Sequence, residues 1–257
     1  MSITVCSGFS PQGRLQYGER FLRTFHQFWP ASVSLAVYVE QSDAALDRLG
    51  QGAIRSLWDC EGMRAFLTRH EPDPVKNGRA PHPGWKSKDH RAGYSFKFDA
   101  VKFSRQCFIP EQAALACADG DILVWLDADV VSFKPVPDGF VEGLLGEADG
   151  CYLGREYKHS EIGFWAVRLS PRTRAFLAML AGTYRSDDIF KLGEWHSAYA
   201  WDYCRKIAES AGAKFKNLTP GGHDHVWVTS PLFKCLDHMK GEARKAAGMS
   251  AERRYVR

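Results

Sequence analysis

Two carboxylates follow a short apolar run near the middle of the chain. The run is Ile122–Leu126, and Asp127 and Asp129 come directly after it. A short run of β-branched and aromatic residues predicts a strand buried on both faces, as in a parallel sheet. In open α/β sheets, ligands bind beyond the carboxyl ends of the strands. If the chain stays extended there, alternation places both carboxylates on one side. Two hard oxygen ligands at this spacing can hold a divalent cation that still accepts phosphate oxygens. The alternative is an Asp pair that only caps the next turn.

A histidine and two cations near the C-terminus offer the groups that such a site would lack. His238 and Gly241 form an H-x-x-G pattern, and the pair Arg244 and Lys245 follows. A neutral imidazole can complete a metal site begun by two carboxylates. A glycine allows the backbone to approach a phosphate closely, and adjacent cations neutralise its charge. Two further histidines are alternative ligands, namely His223 and His225.

Composition places the chain among ordinary globular proteins. It has 257 residues, of which 45% are apolar and 25% charged, with a net charge of +4. These values fit one large α/β domain or two small ones, and they permit an anionic partner without requiring one. The seven cysteines are scattered without zinc-site spacing, which favours reduced thiols in a cytoplasmic protein. We find neither a signal peptide nor an apolar run long enough for a transmembrane segment.

The first forty residues read as a βαβ unit. We predict a strand over residues 3–6, a loop over 7–13, a helix over 17–29 and a strand over 33–39. The loop faces the ligand side of the sheet, yet it lacks G-x-G-x-x-G and also lacks G-x-x-x-x-G-K-[ST]. A dinucleotide dehydrogenase and a P-loop enzyme are therefore unsupported.

Periodicity assigns the remaining elements. Helices are predicted over residues 95–108, 111–117 after an interruption at Pro110, 139–145, 172–184 and 194–210. Strands are predicted over residues 151–153 and 162–169. The pattern predicts an α/β fold.

A Pro- and Gly-rich stretch, residues 72–94, combines cations with aromatic side chains. Such long irregular segments are either functional or solvated, and this composition suits a polyanionic, base-bearing or sugar-bearing partner. We take four of its residues as candidates for acceptor binding: Trp85, Lys86, Lys88 and Arg91.

Together these segments resemble a known family. L-D-A-D-V-V, beginning at Leu126, and H-x-x-G-x-x-R-K, beginning at His238, are similar to motifs of GT-A glycosyltransferases. More narrowly, they resemble the glycogenin-like retaining branch, which carries L-D-[AS]-D and H-x-x-G-x-x-K. The resemblance implies one GT-A (Rossmann-like) domain over residues 1–257, with a mixed, mostly parallel sheet flanked by helices. Residues 1–135 would form the nucleotide-sugar and metal half, and residues 136–257 the acceptor half with a closing C-terminal segment.

The resemblance also implies roles for individual residues. Asp127, Asp129 and His238 would bind Mn²⁺ or Mg²⁺. Gly241 and Lys245, or Arg244 at the strict spacing, would contact the diphosphate of a nucleoside-diphosphate sugar such as a UDP-sugar. Further nucleotide-sugar contacts would come from Ser7, Gly8, Phe9, Lys97 and Asp127. The family's D-Q-D segment is missing, and Arg244 stands at its lysine position.

The reaction that the resemblance implies is departure of a nucleoside diphosphate from an anomeric carbon. The sugar would be transferred with retention at that carbon. Its oxocarbenium-like transition state would gain from a nearby carboxylate. Glu194 and Asp202 are the catalytic candidates, because a spacing of eight places them on one face of the predicted 194–210 helix. Glu161 is a third. The acceptor is open between a glycan, a lipid-linked glycan, a protein, a small molecule and a modified DNA base, so nucleic acid is among the partners considered.

Two other classes of protein remain in view. An apolar strand before D-x-D also fits haloacid-dehalogenase-type phosphatases, in which Asp127 would be the nucleophile and Asp187–Asp188 a later acidic pair. The basic stretch alone would fit a non-catalytic module that binds nucleic acid or a nucleotide sugar.

Overall fold

A mixed β-sheet forms the centre of the computed structural model, which describes residues 1–79, 93–250 and 252–253. Within these residues the sheet has seven strands in the order β3-β2-β1-β4-β7-β6-β8. They are β1 Ile3–Phe9, β2 Val33–Val39, β3 Ile54–Ser56, β4 Ile122–Leu126, β6 Gly150–Leu153, β7 Glu161–Arg168 and β8 Phe215–Asn217. Only β7 runs against its neighbours; the other pairs are parallel. The predicted α/β fold with a mixed, mostly parallel sheet is confirmed.

Helices cover both faces of this sheet. They are α1 Pro11–Gly13, α2 Glu19–Phe28, α3 Ala44–Gly50, α4 Glu61–His70, α5 Ala100–Phe103, α6 Arg105–Ala114, α7 Phe140–Leu145, α8 Pro171–Arg185, α9 Ser197–Ser210 and α10 Glu242–Ala247. Alternation along β4 sends Trp125 into the core beneath α4, α6, α8 and α9, and Val124 into the core beneath α2, α3 and α7. All five residues of β4 are buried, as the apolar run predicted.

The first strand and its loop differ from the prediction. Strand β1 continues to Phe9 instead of ending at Cys6, and Ser7 and Phe9 pair with Val37 and Val39 of β2. Pairing with a long buried strand therefore outweighs the turn-forming character of Ser7-Gly8. After β1, the π-helical turn Arg14–Gly18 leads into α2.

Two helices also begin or continue differently from the prediction. Pro110 lies inside α6 and does not interrupt it. Since α6 is packed against α8 and β1, tertiary contacts compensate for the backbone hydrogen bond that proline cannot donate. Helix α9 begins at Ser197, so Glu194 precedes the helix.

The C-terminal segment returns to the end of β4 through a small second sheet. In it, β5 (Val130–Ser132) pairs antiparallel with β9 (Leu236–His238). Asp237 of β9 is fully buried, and its carboxylate accepts hydrogen bonds from the backbone nitrogen of Ser250 at 2.9 Å and from its hydroxyl at 2.7 Å. These contacts anchor the segment on both sides of α10. None of the helices in the described ranges has the length and apolarity to cross a bilayer.

The Ser250 contact can be tested by hydrogen exchange. Ser250→Ala removes one donor to a buried carboxylate, which should destabilise residues 239–250 locally by about 1–3 kcal/mol. We expect faster amide exchange there and unchanged exchange in β4. Ser32→Ala, at an exposed turn, is the control. Equal protection of residues 239–250 in all three proteins would contradict the anchoring role.

Candidate metal centre and adjoining cavity

Asp127 stands at the end of β4 with one carboxylate oxygen held in place. Its Oδ1 accepts a hydrogen bond from the Trp125 indole at 2.8 Å and another from the Gln106 amide at 2.8 Å. Its backbone nitrogen donates to the Gly163 carbonyl at 2.9 Å, which extends the pairing of β4 with β7. Two hydrogen bonds therefore orient the side chain, and a third holds its backbone against β7.

A turn brings Asp129 beside Asp127. The Val130 nitrogen donates to the Asp127 carbonyl at 3.0 Å, so the chain bends after Leu126 and is not extended across the D-x-D. The expectation that strand alternation aligns the two carboxylates is therefore wrong. The bend brings them together instead.

His238 completes the group. Its Nε2 lies 3.1 Å from Asp129 Oδ1, and the backbone nitrogen of Met239 donates to the Asp129 carbonyl at 2.9 Å. Asp127, Asp129 and His238 each offer a ligand atom, and these atoms lie within 4.8 Å of one another. Neither His223 nor His225 joins a ligand group among the described residues.

The charges of this group influence one another. Burial, followed by the negative charge of Asp129, raises the pKa of Asp127 to about 7. Burial alone would raise the pKa of Asp129, but His238 and Lys245 bring it below its usual value. Burial alone would lower the pKa of His238, yet the surrounding carboxylates, Asp129 first, raise it. Without a divalent cation, the imidazole and the lysine supply the positive charge that the carboxylates require.

The donor set fits a divalent cation. Two carboxylates and one imidazole are a predominantly hard set of the kind that suits Mn²⁺ or Mg²⁺. His238 Nδ1 is buried and has no hydrogen-bond partner among the described residues, so this nitrogen is available as a metal ligand. A Cβ on Gly163 would lie 3.0 Å from His238 Cε1 and 3.3 Å from Asp127 Oδ2. The absence of a side chain at Gly163 thus leaves space between the donors.

Of the two neighbouring cations, Lys245 is the one at this group. Its Nζ lies 3.4 Å from Asp129 Oδ2, whereas Arg244 pairs with Glu252 at 3.0 Å. Gly241 precedes α10 with a φ of +86°, a conformation that glycine adopts without strain. The H-x-x-G segment thus turns at Gly241 and brings Lys245 to the carboxylates.

A cavity of about 680 Å³ opens beside the carboxylates. Gly8, Phe9 and Tyr17 line it from the first βαβ unit, and Arg79 and Lys102 line it from the opposite side. Asp127, Asp129 and Lys245 also line it. The cavity therefore combines cations, aromatic rings and the candidate metal ligands.

Two of the predicted nucleotide-sugar contacts, Ser7 and Lys97, are not among the residues that line this cavity. Ser7 is fully buried, and its hydroxyl donates to the Leu126 carbonyl at 2.6 Å, so it supports β4 from behind the cavity. A Cβ on Gly8 would lie 2.9 Å from the Tyr38 carbonyl, so the neighbouring strand itself requires glycine. Lys97 does not line the cavity; its Nζ lies 2.9 Å from Glu194 Oε1.

The two catalytic candidates meet at a histidine. Glu194 Oε2 lies 3.3 Å from His159 Nε2 and 2.8 Å from His196 Nε2, and Asp202 Oδ2 lies 3.9 Å from His159 Nδ1. The helical-face argument is wrong for Glu194, because it precedes α9. Neither carboxylate lines the cavity at Asp127, and their catalytic role stays a prediction.

Glu161, the third catalytic candidate, lies close enough to His238 for their charges to interact. It is buried on β7, where it pairs with Lys240 and, at 3.4 Å, with Arg155. Burial alone would raise the pKa of Glu161, but His238, Lys240 and Arg155 bring it below its usual value. This ion pair joins β7 to the C-terminal segment.

Sequence reasoning missed several residues that shape the two groups. Gln106 and Trp125 orient Asp127, Gly163 leaves the space, and His159 and His196 flank Glu194. Of these residues, His196 lies two positions after a predicted catalytic carboxylate in the sequence. The acceptor candidates Trp85, Lys86, Lys88 and Arg91 lie outside the described residues.

Comparisons with known proteins give structural likenesses only. No family model matches the chain, and no curated protein matches it. Mouse xyloside xylosyltransferase 1 is 10% identical, with 85% of each chain covered and a TM-score of 0.46. A glycosyltransferase involved in glycosylation of the major capsid of PBCV-1 is 12% identical, with 96% of this chain and 100% of that one covered and a TM-score of 0.48. The glycosyltransferase GlyE of Streptococcus pneumoniae TIGR4 is 11% identical, with 85% of this chain and 45% of that one covered and a TM-score of 0.44. Likenesses at this level identify no family, so function must be argued from the site.

Filling the space at Gly163 should weaken metal binding. We expect Gly163→Ala to lower Mn²⁺ affinity, measured by calorimetry, because the new methyl group crowds His238 and Asp127. Gly182→Ala in α8, where a Cβ meets nothing within 4 Å, should bind Mn²⁺ normally. Unchanged affinity in Gly163→Ala, with its fold intact, would exclude an ion between these donors.

Proposed function

We propose that this protein is a GT-A-type glycosyltransferase that moves a sugar from a nucleoside-diphosphate sugar to an acceptor with the help of a divalent cation. The observation that carries the proposal is the meeting of Asp127, Asp129 and His238 beside a cavity that Lys245 and other cations also line. Carboxylates alone would repel a diphosphate. A bound divalent cation converts such a group into a diphosphate site.

The cavity suits the nucleoside diphosphate. Phe9 and Tyr17 offer aromatic surface, while Arg79, Lys102 and Lys245 offer positive charge. A nucleoside lying toward the end of β1 would place its diphosphate toward Asp127 and Asp129, because β1 and β4 are adjacent parallel strands. We expect UDP to be the nucleoside diphosphate, as the family resemblance implies.

The chain's own residues would act mainly by binding and orienting. Mn²⁺ or Mg²⁺, held by Asp127, Asp129 and His238, would supply Lewis acidity for the leaving diphosphate. Lys245 would neutralise phosphate charge, and Gln106 and Trp125 would keep Asp127 in its ligating orientation. We propose retention at the anomeric carbon, with Glu194, Asp202 and Glu161 as the carboxylates to be tested for a part in catalysis.

The phosphatase alternative is not favoured. The nucleophilic motif of such phosphatases normally opens the domain, whereas a complete βαβ unit, from β1 to β2, precedes Asp127. The acidic pair Asp187–Asp188 also has other partners, since Asp187 pairs with His70 at 2.7 Å and with Arg69 at 3.0 Å. A non-catalytic binding module would differ from the proposed enzyme by the absence of turnover.

Removing either aspartate charge should abolish the reaction. We expect Asp127→Asn and Asp129→Asn each to slow nucleoside diphosphate release by at least about 100-fold, since metal-assisted charge stabilisation corresponds to several kcal/mol. Release is measured over a panel of nucleotide sugars, with EDTA and with Mn²⁺ added back. Asp119→Asn, an exposed carboxylate before β4, is the control. Full turnover in EDTA would refute metal dependence.

Lys245 and Arg244 form a natural matched pair for testing the diphosphate contact. Lys245→Ala should raise the donor KM by about 10–100-fold, because one charge-assisted contact corresponds to about 1.5–3 kcal/mol. Arg244→Ala should change the donor KM much less, because Arg244 pairs with Glu252 away from the carboxylates. The reverse order of the two effects would place the diphosphate at Arg244 instead.

A further inference from the structure

A second group of ligand atoms lies apart from the first. His159, in the loop before β7, meets Glu194 and His196, which precede α9, with one ligand atom from each within 4.8 Å of the others. Two imidazoles and one carboxylate differ from the two carboxylates and one imidazole at Asp127. Imidazole nitrogen is a borderline donor that suits Zn²⁺, whereas Mg²⁺ prefers oxygen.

We propose that His159, Glu194 and His196 form a second metal site, for Zn²⁺, apart from the Asp127 group. Three protein ligands of this kind leave a fourth position open to water or another ligand, as in zinc sites that take part in chemistry.

The spacing of the donor atoms fits this ion. Ligand atoms about 2.0–2.1 Å from a tetrahedral zinc lie about 3.3 Å apart. His159 Nε2 lies 3.3 Å from Glu194 Oε2, and His196 Nε2 lies 2.8 Å from the same oxygen. The second distance has to open by about half an ångström to admit the ion.

A carboxylate also lies within 4 Å of the other ring nitrogen of His159. An imidazole bound to metal through one nitrogen usually presents the other to a carboxylate, which fixes its orientation. Asp202 Oδ2 lies 3.9 Å from His159 Nδ1, on the side away from Glu194. Asp202 is itself held by the backbone nitrogen of Ser160 at 2.8 Å and by its hydroxyl at 2.6 Å.

The remaining charges at this group leave the ligand oxygen available. Lys97 Nζ lies 2.9 Å from Glu194 Oε1, so the oxygen facing the two histidines is Oε2. Arg205 lies 3.3 Å from Asp202 Oδ1 and balances that carboxylate. The His159 side chain is 35% exposed, which gives an ion access from solvent, while His196 is buried.

The experiment first removes the Asp127 group. The full chain carrying both Asp127→Asn and Asp129→Asn, stripped of metal, is titrated with Co²⁺ as a spectroscopic probe and then with Zn²⁺ in competition, with excess Mg²⁺ present. We expect one equivalent of Co²⁺ with visible d–d absorption, displaced by Zn²⁺. Less than one equivalent of bound metal overturns the proposal.

Variants in the same background assign the ligands. His159→Ala should lower Zn²⁺ affinity by more than the about 10–100-fold expected for Asp202→Asn, which removes only a positioning carboxylate. His223→Ala, at an exposed histidine, should bind normally. Undiminished binding in a folded His159→Ala protein overturns the proposal. If that variant does not fold, the zinc-loaded parent protein is measured by X-ray absorption. A spectrum without imidazole ligands would also overturn the proposal.

Discussion

The candidate metal centre depends on the register between β5 and β9. Val130 pairs with His238, and this pairing places the imidazole beside Asp129. In the next position, Asp237 points the opposite way, into the buried contact with Ser250. A slip of one residue would exchange these two side chains, because strand side chains alternate. One short stretch of pairing thus fixes both the ligand and the anchor of the segment that carries it.

The two ligand groups are physically connected. Gln106 donates to Asp127 Oδ1 through its amide nitrogen, and its amide oxygen accepts from the Ser197 hydroxyl. Ser197 is the first residue of α9 and directly follows His196. The amide of Gln106 therefore has one orientation that satisfies both neighbours. Any shift of the segment before α9 would move Gln106 and so change its hydrogen bond to the Asp127 carboxylate.

The sequence predicted what local pattern determines. The buried run Ile122–Leu126 identified β4, and the polar residues that follow it identified Asp127 and Asp129. It could not predict the turn that aligns the two carboxylates, because a bend after a strand leaves no periodic signal. Nor could it predict that Glu194 meets His159, since that contact depends on how the loop before β7 lies against the start of α9. Nor could it predict the space at Gly163, because that space exists only once β7 lies beside β4.

The pairing of β5 with β9 can form only after the strands of the central sheet have been translated. All strands of the central sheet have been made once β8, Phe215–Asn217, has been translated, but His238 and Lys245 come later. A nascent chain can therefore build its sheet while the carboxylates of Asp127 and Asp129 still lack their imidazole and lysine partners. Contacts between residues so distant in sequence form late, because the closure of a long loop is entropically unfavourable. A divalent cation at Asp127 and Asp129, as proposed, would therefore meet its imidazole ligand only after β9 has paired with β5.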